Sequence, residues 1–184
     1  MKKYLITSPE IYTDKCKNFK KILKKQVEKH LPDFILFRDK VHQNYDELAK
    51  CFVDTCKELN HGMKCLIHQD VDLAHILEVD GVHLTSKQFS QIQRAKKFGL
   101  YVIVSTHTHD EVLEAQNLGA DAVTYSPIFY SPNKGIPKGI EDLQALLELC
   151  DVKVFALGGI VSDMELKALE NTQVYGFSSI RYFQ

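Results

Sequence analysis

No charge of one sign dominates this chain. Lysine and arginine number 23 against 24 aspartate and glutamate, a formal net charge of -1 over 184 residues. The basic excess that a nucleic-acid footprint needs is therefore missing. No stretch is apolar for long enough to span a bilayer, and the short run Tyr4 to Ile6 behind Met1-Lys2-Lys3 is too brief for a signal-peptide core. The expectation is a cytoplasmic protein with no membrane and no nucleic-acid partner. The five cysteines, Cys16, Cys51, Cys56, Cys65 and Cys150, are an odd number and contain no C-x-x-C pair. That argues against a zinc site and against a disulfide framework. Cys51 and Cys56 fall in an apolar helical rhythm and read as small core residues. A G-x-G-x-x-G turn, a Walker loop, an H-E-x-x-H helix and a Ser-His-Asp pattern are all missing as well. Dinucleotide binding, nucleotide hydrolysis, zinc proteolysis and serine hydrolysis lose their usual signatures with them.

The composition that remains, 45% hydrophobic and 26% charged, is enough for one core, and the length suits a single domain over residues 1–184. The main local charge excess is a run of lysines from Lys15 to Lys29, spaced three and four apart and interleaved with Phe19, Ile22, Leu23 and Val27. Such spacing is the wet face of an amphipathic helix. A membrane or RNA patch there is the less favoured reading, because charged helix faces are ordinarily just solvated.

From there the pattern repeats: a short apolar run, a polar turn, an amphipathic helix. The apolar runs are 3–7, 34–37, 65–67, 81–84, 101–104, 122–125, 152–157 and 174–177. Helical periodicity falls between them, at 44–59, 71–77, 88–98, 108–118, 140–149 and 163–169, besides the lysine-rich helix ending near His30. Eight strands separated by helices must pair in parallel, and eight is the number at which such a sheet closes. A (β/α)8 TIM barrel is predicted, ahead of an open doubly wound sheet. Only six residues follow Ser178, too few for a final helix. The C-terminal helix is therefore truncated, the wall there is expected to be bare, and a second copy in a homodimer is one way to cover it.

In a barrel, function collects in the loops after the strands. Gly158-Gly159, between an apolar strand and a helix, offers bare backbone amides to an anion, with Ser178 and Ser179 nearby as hydroxyl donors. The plainer alternative is a tight turn. Arg38 and Lys40 alternate with Asp39, so both cations project to one side, either as a second anion site or as partners in surface ion pairs. The loop from Ser126 to Gly139, with three prolines and Lys134, has the length of a lid. His68 is the best-placed candidate proton carrier; His107 ends the fifth strand within reach of the mouth, with a helix-capping role as the equal alternative. His83 lies within a strand and reads as a hydrogen-bonded wall residue.

Together these stretches resemble the thiamine phosphate synthase and TenI (thiazole tautomerase) superfamily. The resemblance is carried by Leu36-Phe37-Arg38-Asp39-Lys40 (family Q-L-R-x-K), Gly81-Val82-His83-Leu84, Val104-Ser105-Thr106-His107-Thr108, Ser126-Pro127-Ile128-Phe129 (family G-P-I-F) and Ala156-Leu157-Gly158-Gly159-Ile160. It implies a small phosphorylated heterocyclic ligand. Arg38, Lys40 and Lys134 would hold pyrophosphate with Ser105 beside them, while Ser131, Gly159, Ser178 and Ser179 cradle a thiazole phosphate. For a synthase it also implies Mg2+, because departing pyrophosphate develops charge.

The chain departs from the pattern at telling places. The family's I-N-D is Ile67-His68-Gln69 and its G-Q-E-D is Thr85-Ser86-Lys87-Gln88, so both implied metal carboxylates are amides; Asp70 could stand in only by a shift of register. The tautomerase's histidine after strand six is Pro127, which leaves His68 or His107 as proton carrier. The expected function is a TenI-like protein of thiamine metabolism that binds a thiazole-type phosphate and moves a proton without metal or other cofactor. A synthase (a transferase rather than an isomerase) with altered Mg2+ ligation is the second reading, and a non-catalytic phosphate binder the third.

Overall fold

Because each strand's side chains alternate between two faces, the sequence must find two apolar environments at once, and the structure provides both. In a computed structural model that describes residues 1–59 and 61–184, eight parallel strands close into a barrel in simple order, β1 through β8, with β8 pairing back onto β1. The strands are β1 (Lys2–Ile6), β2 (Phe34–Phe37), β3 (Lys64–His68), β4 (Gly81–Leu84), β5 (Tyr101–Thr106), β6 (Ala122–Tyr125), β7 (Lys153–Leu157) and β8 (Gly176–Ser179). The helices are α1 (Pro9–Tyr12), α2 (Cys16–His30), α3 (Tyr45–Leu59), α4 (Val71–Ile76), α5 (Ile92–Lys97), α6 (His109–Asn117), α7 (Gly139–Leu149) and α8 (Asp163–Leu169).

One face of the strands fills the barrel interior with Tyr4, Ile6, Phe34, Leu36, Leu66, Ile103, Ala122 and Phe155. The other face supplies Leu5, Ile35, Phe37, Ile67, Val82, Val102, Val104, Val123, Val154 and Phe177 to the layer shared with the helices. Burial of such side chains is worth about 1.5–3 kcal/mol each. Exposed ion pairs contribute far less, so Phe19 and Leu23 of α2, both buried, hold it in place more than the pairing of Lys20 and Lys24 with Glu58 of α3 does. Helix starts follow their caps. The Asp70 carboxylate accepts from the Leu73 amide at 2.8 Å, the Thr108 hydroxyl accepts from Glu111, and Ser162 forms a reciprocal capping box with Glu165.

Several boundaries differ from expectation. β5 runs on to Thr106 and β8 is displaced to Gly176–Ser179, so Ser105, Ser178 and Ser179 lie inside strands; ladder pairing with β6 and with β1 recruits residues whose own propensity is weak. The short helix α1 is an addition, and the helix expected over 88–98 divides into a 3-10 turn at Phe89–Gln91 and α5. No helix follows β8 among the described residues, but the wall there is not bare. Phe183 is buried, its ring stacked on Phe177 with centroids 5.7 Å apart and set edge-on to His30.

The expectation about cysteine also needs correction. Cys16 and Cys51 form a disulfide that joins the start of α2 to the middle of α3, while Cys56, Cys65 and Cys150 are free. The two lie 35 positions apart in sequence, so no local spacing could disclose the bond; the side-by-side packing of two helices brings the thiols together. No helix among the described residues is long and apolar enough to cross a membrane.

Closing a loop of that length restricts the unfolded chain by about 3–4 kcal/mol. The oxidised protein should unfold in urea at a higher midpoint than the reduced one by that margin. Cys16→Ser should match the reduced protein and be indifferent to reductant. Superimposable unfolding curves for oxidised and reduced wild-type chain would contradict the bridge.

Candidate active site

The interior pattern turns polar at the carboxyl ends of the strands. Continuing each inward-facing row by two residues leads from Leu36 to Arg38, from Leu66 to His68 and from Ile103 to Ser105, and β4 and β6 bring His83 and Ser126 to the same level. These residues line a cavity of about 590 Å³ at the mouth. Its wall also includes Ser8, Glu10 and Ile11 from the β1–α1 region, Ser131 and Lys134 from the long loop after β6, Gly158, Gly159 and Ile160 after β7, and Ser179, Ile180 and Arg181 at the end of β8.

One edge is cationic. Burial pulls the Arg38 guanidinium down from its ordinary pKa, an effect that Asp39 and Glu10 partly offset. The Lys40 ammonium is lowered too, first by desolvation and then by Arg38 and Lys134, so Lys40 feels the charge of both other cations. None of them forms an ion pair with a carboxylate among the described residues. Asp39 points the other way and closes its own turn, accepting from the Val41 and His42 amides and from the His42 ring at 2.6 Å.

The opposite edge is built from backbone. Gly158 and Gly159 have φ of +98° and +74°. A Cβ on Gly158 would meet Pro127 Cα at 2.8 Å, and one on Gly159 would meet the Tyr130 carbonyl at 2.5 Å. The glycines are thus required for packing under the β6 loop, and the tight turn and the open amides coexist. The Gly159, Ile160, Ile180 and Arg181 amides have no backbone acceptor among the described residues. The two serine hydroxyls are turned elsewhere: Ser178 is buried and bonds the Ala156 carbonyl, while Ser179 donates to the Ile160 carbonyl at 2.8 Å and accepts from the Tyr182 amide. Any contact they make with a ligand at this edge would come through the main chain.

The histidines occupy three different settings. His68 is buried beside His83; desolvation first, then His83, Arg38 and Lys40, push its pKa down to about 2. His83 is pushed down to about 3 by burial and Arg38. Its ring bonds the Tyr4 hydroxyl at 2.8 Å through Nδ1 and the Ser105 hydroxyl at 2.9 Å through Nε2, the wall role its place in a strand implied. His107 is exposed and outside the cavity lining. Its Nδ1 lies 3.2 Å from both the carbonyl and the hydroxyl of Ser126, so it reaches the cavity only through that serine.

The long loop is stitched shut at its base, where the Lys138 and Gly139 amides donate to the Pro127 and Ile128 carbonyls. That arrangement carries Lys134 and Ser131 over the mouth. Sequence reasoning missed Tyr4, Glu10 and Arg181 as neighbours of the site. Tyr4 was discoverable from its alternation with Ile6; Glu10 and Arg181 sit in irregular segments with no pattern to read.

The donor set does not fit the divalent cation that a synthase implies. Gln88 Oε1 accepts from the Thr85 amide and hydroxyl, and its Nε2 donates to the Gln69 carbonyl, so its carboxamide ties two loops together. Asp70 is committed as a helix cap, and no cluster of three His, Cys, Asp or Glu side chains suited to a metal occurs among the described residues.

A closed parallel barrel with a donor-rich, cationic mouth at the carboxyl ends of its strands defines the class of protein. The particular family follows from comparison: the sequence profile of the thiamine monophosphate synthase family matches residues 3–182, and the chain belongs to that family. It is 31% identical over 191 residues to a provisionally named thiamine-phosphate synthase 2 of Aquifex aeolicus, covering 98% of this chain and 96% of that one. It is 33% identical over 135 residues to the thiamine-phosphate synthase of Dictyoglomus turgidum, where the match takes in 68% of this chain but only 59% of the relative. Among solved structures, a thiamine phosphate pyrophosphorylase from Pyrococcus furiosus superimposes with a TM-score of 0.81 at 24% identity, over 97% of this chain and 85% of the other, a likeness of fold.

The two buried histidines set a pH dependence whose sign is fixed. Their folded pKa values lie near 2 and 3, below the ordinary 6.5, so the unfolded chain takes up protons first as pH falls. Stability is fully present above pH ~6.5 and declines below it, by about 1.4 kcal/mol per pH unit for each histidine. Urea unfolding between pH 7 and 5 should show this slope, and His68→Gln should flatten it by roughly half. A wild-type stability that rises on acidification would refute the assignment.

Proposed function

We propose that this protein binds a thiazole-type heterocyclic phosphate across the mouth and shifts a proton on it without a metal ion. The carrying observation is the donor set: Arg38, Lys134 and free amides converge on one cavity, while the positions expected to hold a divalent ion carry the neutral side chains of Gln69 and Gln88, the latter already engaged in loop contacts. In this reading the phosphate rests on the amides of Gly159, Ile160, Ile180 and Arg181, at the positive end of a loop built for close approach. A second anionic group on the ligand faces Arg38, with Lys40 and Lys134 at the rim, which relieves their mutual repulsion.

His68 carries the proton directly. It is neutral before ligand binds, and an anion beside Arg38 and Lys40 cancels part of the cationic field that suppresses its basicity. His107 acts from outside through the Ser126 hydroxyl and exchanges the proton with water. Ser126 stands where the family motif has glycine.

The synthase reading draws on a different feature, the presence of two separate anion-binding edges, which would suit a diphosphate and a phosphate together. It is supported by the names of the relatives and opposed by Gln69 and Gln88.

The two readings separate in one set of assays. With a thiazole carboxylate phosphate as substrate, isomerisation should proceed equally in EDTA and in Mg2+. It should fall on the order of a hundredfold in His68→Asn, a typical loss for a proton-transfer group, and less in His107→Asn. Metal-dependent formation of thiamine phosphate from the pyrimidine diphosphate and thiazole phosphate, at an enzymatic rate, would overturn the proposal in favour of the synthase.

A further inference from the structure

Three strands place a chain of hydrogen bonds beneath the cavity floor: Tyr4 of β1, His83 of β4 and Ser105 of β5. The Tyr4 ring is wholly buried and packed against Phe34, Phe155 and His83 itself. Its hydroxyl has one partner among the described residues, His83 Nδ1 at 2.8 Å. His83 Nε2 in turn lies 2.9 Å from Ser105 Oγ, and Ser105 lines the cavity with Arg38 and Lys134.

Proton bookkeeping along this chain has one economical solution. A buried phenol must donate its proton somewhere, and Nδ1 is the acceptor available to it. Nδ1 must then carry a lone pair, and a neutral ring with Nδ1 bare carries its hydrogen on Nε2. Nε2–H therefore donates to Ser105 Oγ, and the serine's own hydrogen is left to face the cavity. The reverse arrangement, with Ser105 donating to Nε2 and Nδ1–H donating to Tyr4, strands the phenolic proton in a dry interior. An imidazolium strands it as well, and burial together with Arg38 disfavours that form. Leaving such a proton unpaired disfavours the alternatives by a factor on the order of ten or more.

We propose that Tyr4 and His83 are a positioning pair that makes Ser105 a hydrogen-bond donor to the ligand, so that the site selects an acceptor-only group there: an anionic oxygen or an unprotonated ring nitrogen. Ser105 then has the same polarity as Arg38 and Lys134, which can only donate, and Glu10 is the carboxylate acceptor in the same cavity lining. A ligand presenting an N–H or ammonium to Ser105, Arg38 and Lys134 would meet three donors. The ligand half of the inference rests on the mouth being an anion site, as proposed above; the tautomer half does not.

The test is a long-range proton–nitrogen correlation spectrum of the full chain with labelled histidine at pH 7, followed by titration with inorganic pyrophosphate. His83 is expected as a single tautomer with hydrogen on Nε2. Tyr4→Phe, which keeps the ring packing, should give a mixture of tautomers and weaken pyrophosphate about 3–10-fold, the range for one lost hydrogen bond. Ser105→Ala should weaken it by a similar factor, and the double variant should be no weaker than Ser105→Ala alone. Cooperative unfolding of each variant confirms that it has folded. A wild-type His83 protonated on Nδ1, or single losses that simply add in the double variant, would overturn the positioning role. Wild-type protein with the expected tautomer but no affinity for pyrophosphate would overturn the anion selectivity and, separately, the phosphate reading of the mouth.

Discussion

Closing eight parallel strands into a cylinder forces their inward side chains into a space only a few residues across, and the rest of the molecule depends on that constraint. The interior is packed with Tyr4, Phe34, Leu36, Leu66, Ile103 and Phe155. Polar groups gather where the packing stops, at the carboxyl ends. Strand alternation then selects the groups: the inward rows of β2, β3 and β5 end in Arg38, His68 and Ser105 because each lies two residues beyond an apolar one. Side chains held by strands in this way have little freedom to drift, which suits a site that must meet a ligand with fixed geometry.

Charge within the mouth follows a second rule. Cations gather on one edge without carboxylate partners, and the histidines among them are held neutral by burial and by those same cations. Such a pocket is poorly satisfied on its own, since unneutralised cations in a partly desolvated space repel one another. An anion relieves that repulsion, whereas a divalent metal would add to it. The positions expected to hold carboxylates instead carry Gln69 and Gln88, and Gln88 bridges the turns after β3 and β4. What the family pattern assigns to a metal, this chain assigns to a contact between loops.

Most of the fold was legible because it rests on local chemistry. The runs at 34–37, 81–84 and 122–125 coincide with strands residue for residue, since each is short, largely apolar and bounded by turn residues. The helix at 163–169 was equally clear, with a serine cap and a glutamate three residues on. Legibility failed where pairing partners decide. Gly176 to Ser179 is a strand because β1 and β7 flank it, and its serines would not select that state alone. Of the positions expected at the site, Lys40, His107 and Ser178 fall outside the cavity lining. Which way each hydroxyl points was not legible either, and so Ser178 and Ser179, read as donors to phosphate, bond carbonyls within the barrel wall.

The amino-acid sequence by itself determined the alternation of strand and helix, the closed parallel barrel, the family and the neutral amides at positions 69 and 88, because each depends on residue type, period or motif along the chain. Only the tertiary structure decided that Cys16 meets Cys51, that His107 touches the cavity through Ser126, and that Tyr4, His83 and Ser105 join in one line. The physical reason is common to all three. Each is a contact between elements distant along the chain, formed to within a fraction of an ångström by the packing of other residues, and nothing in the spacing of the partners records it.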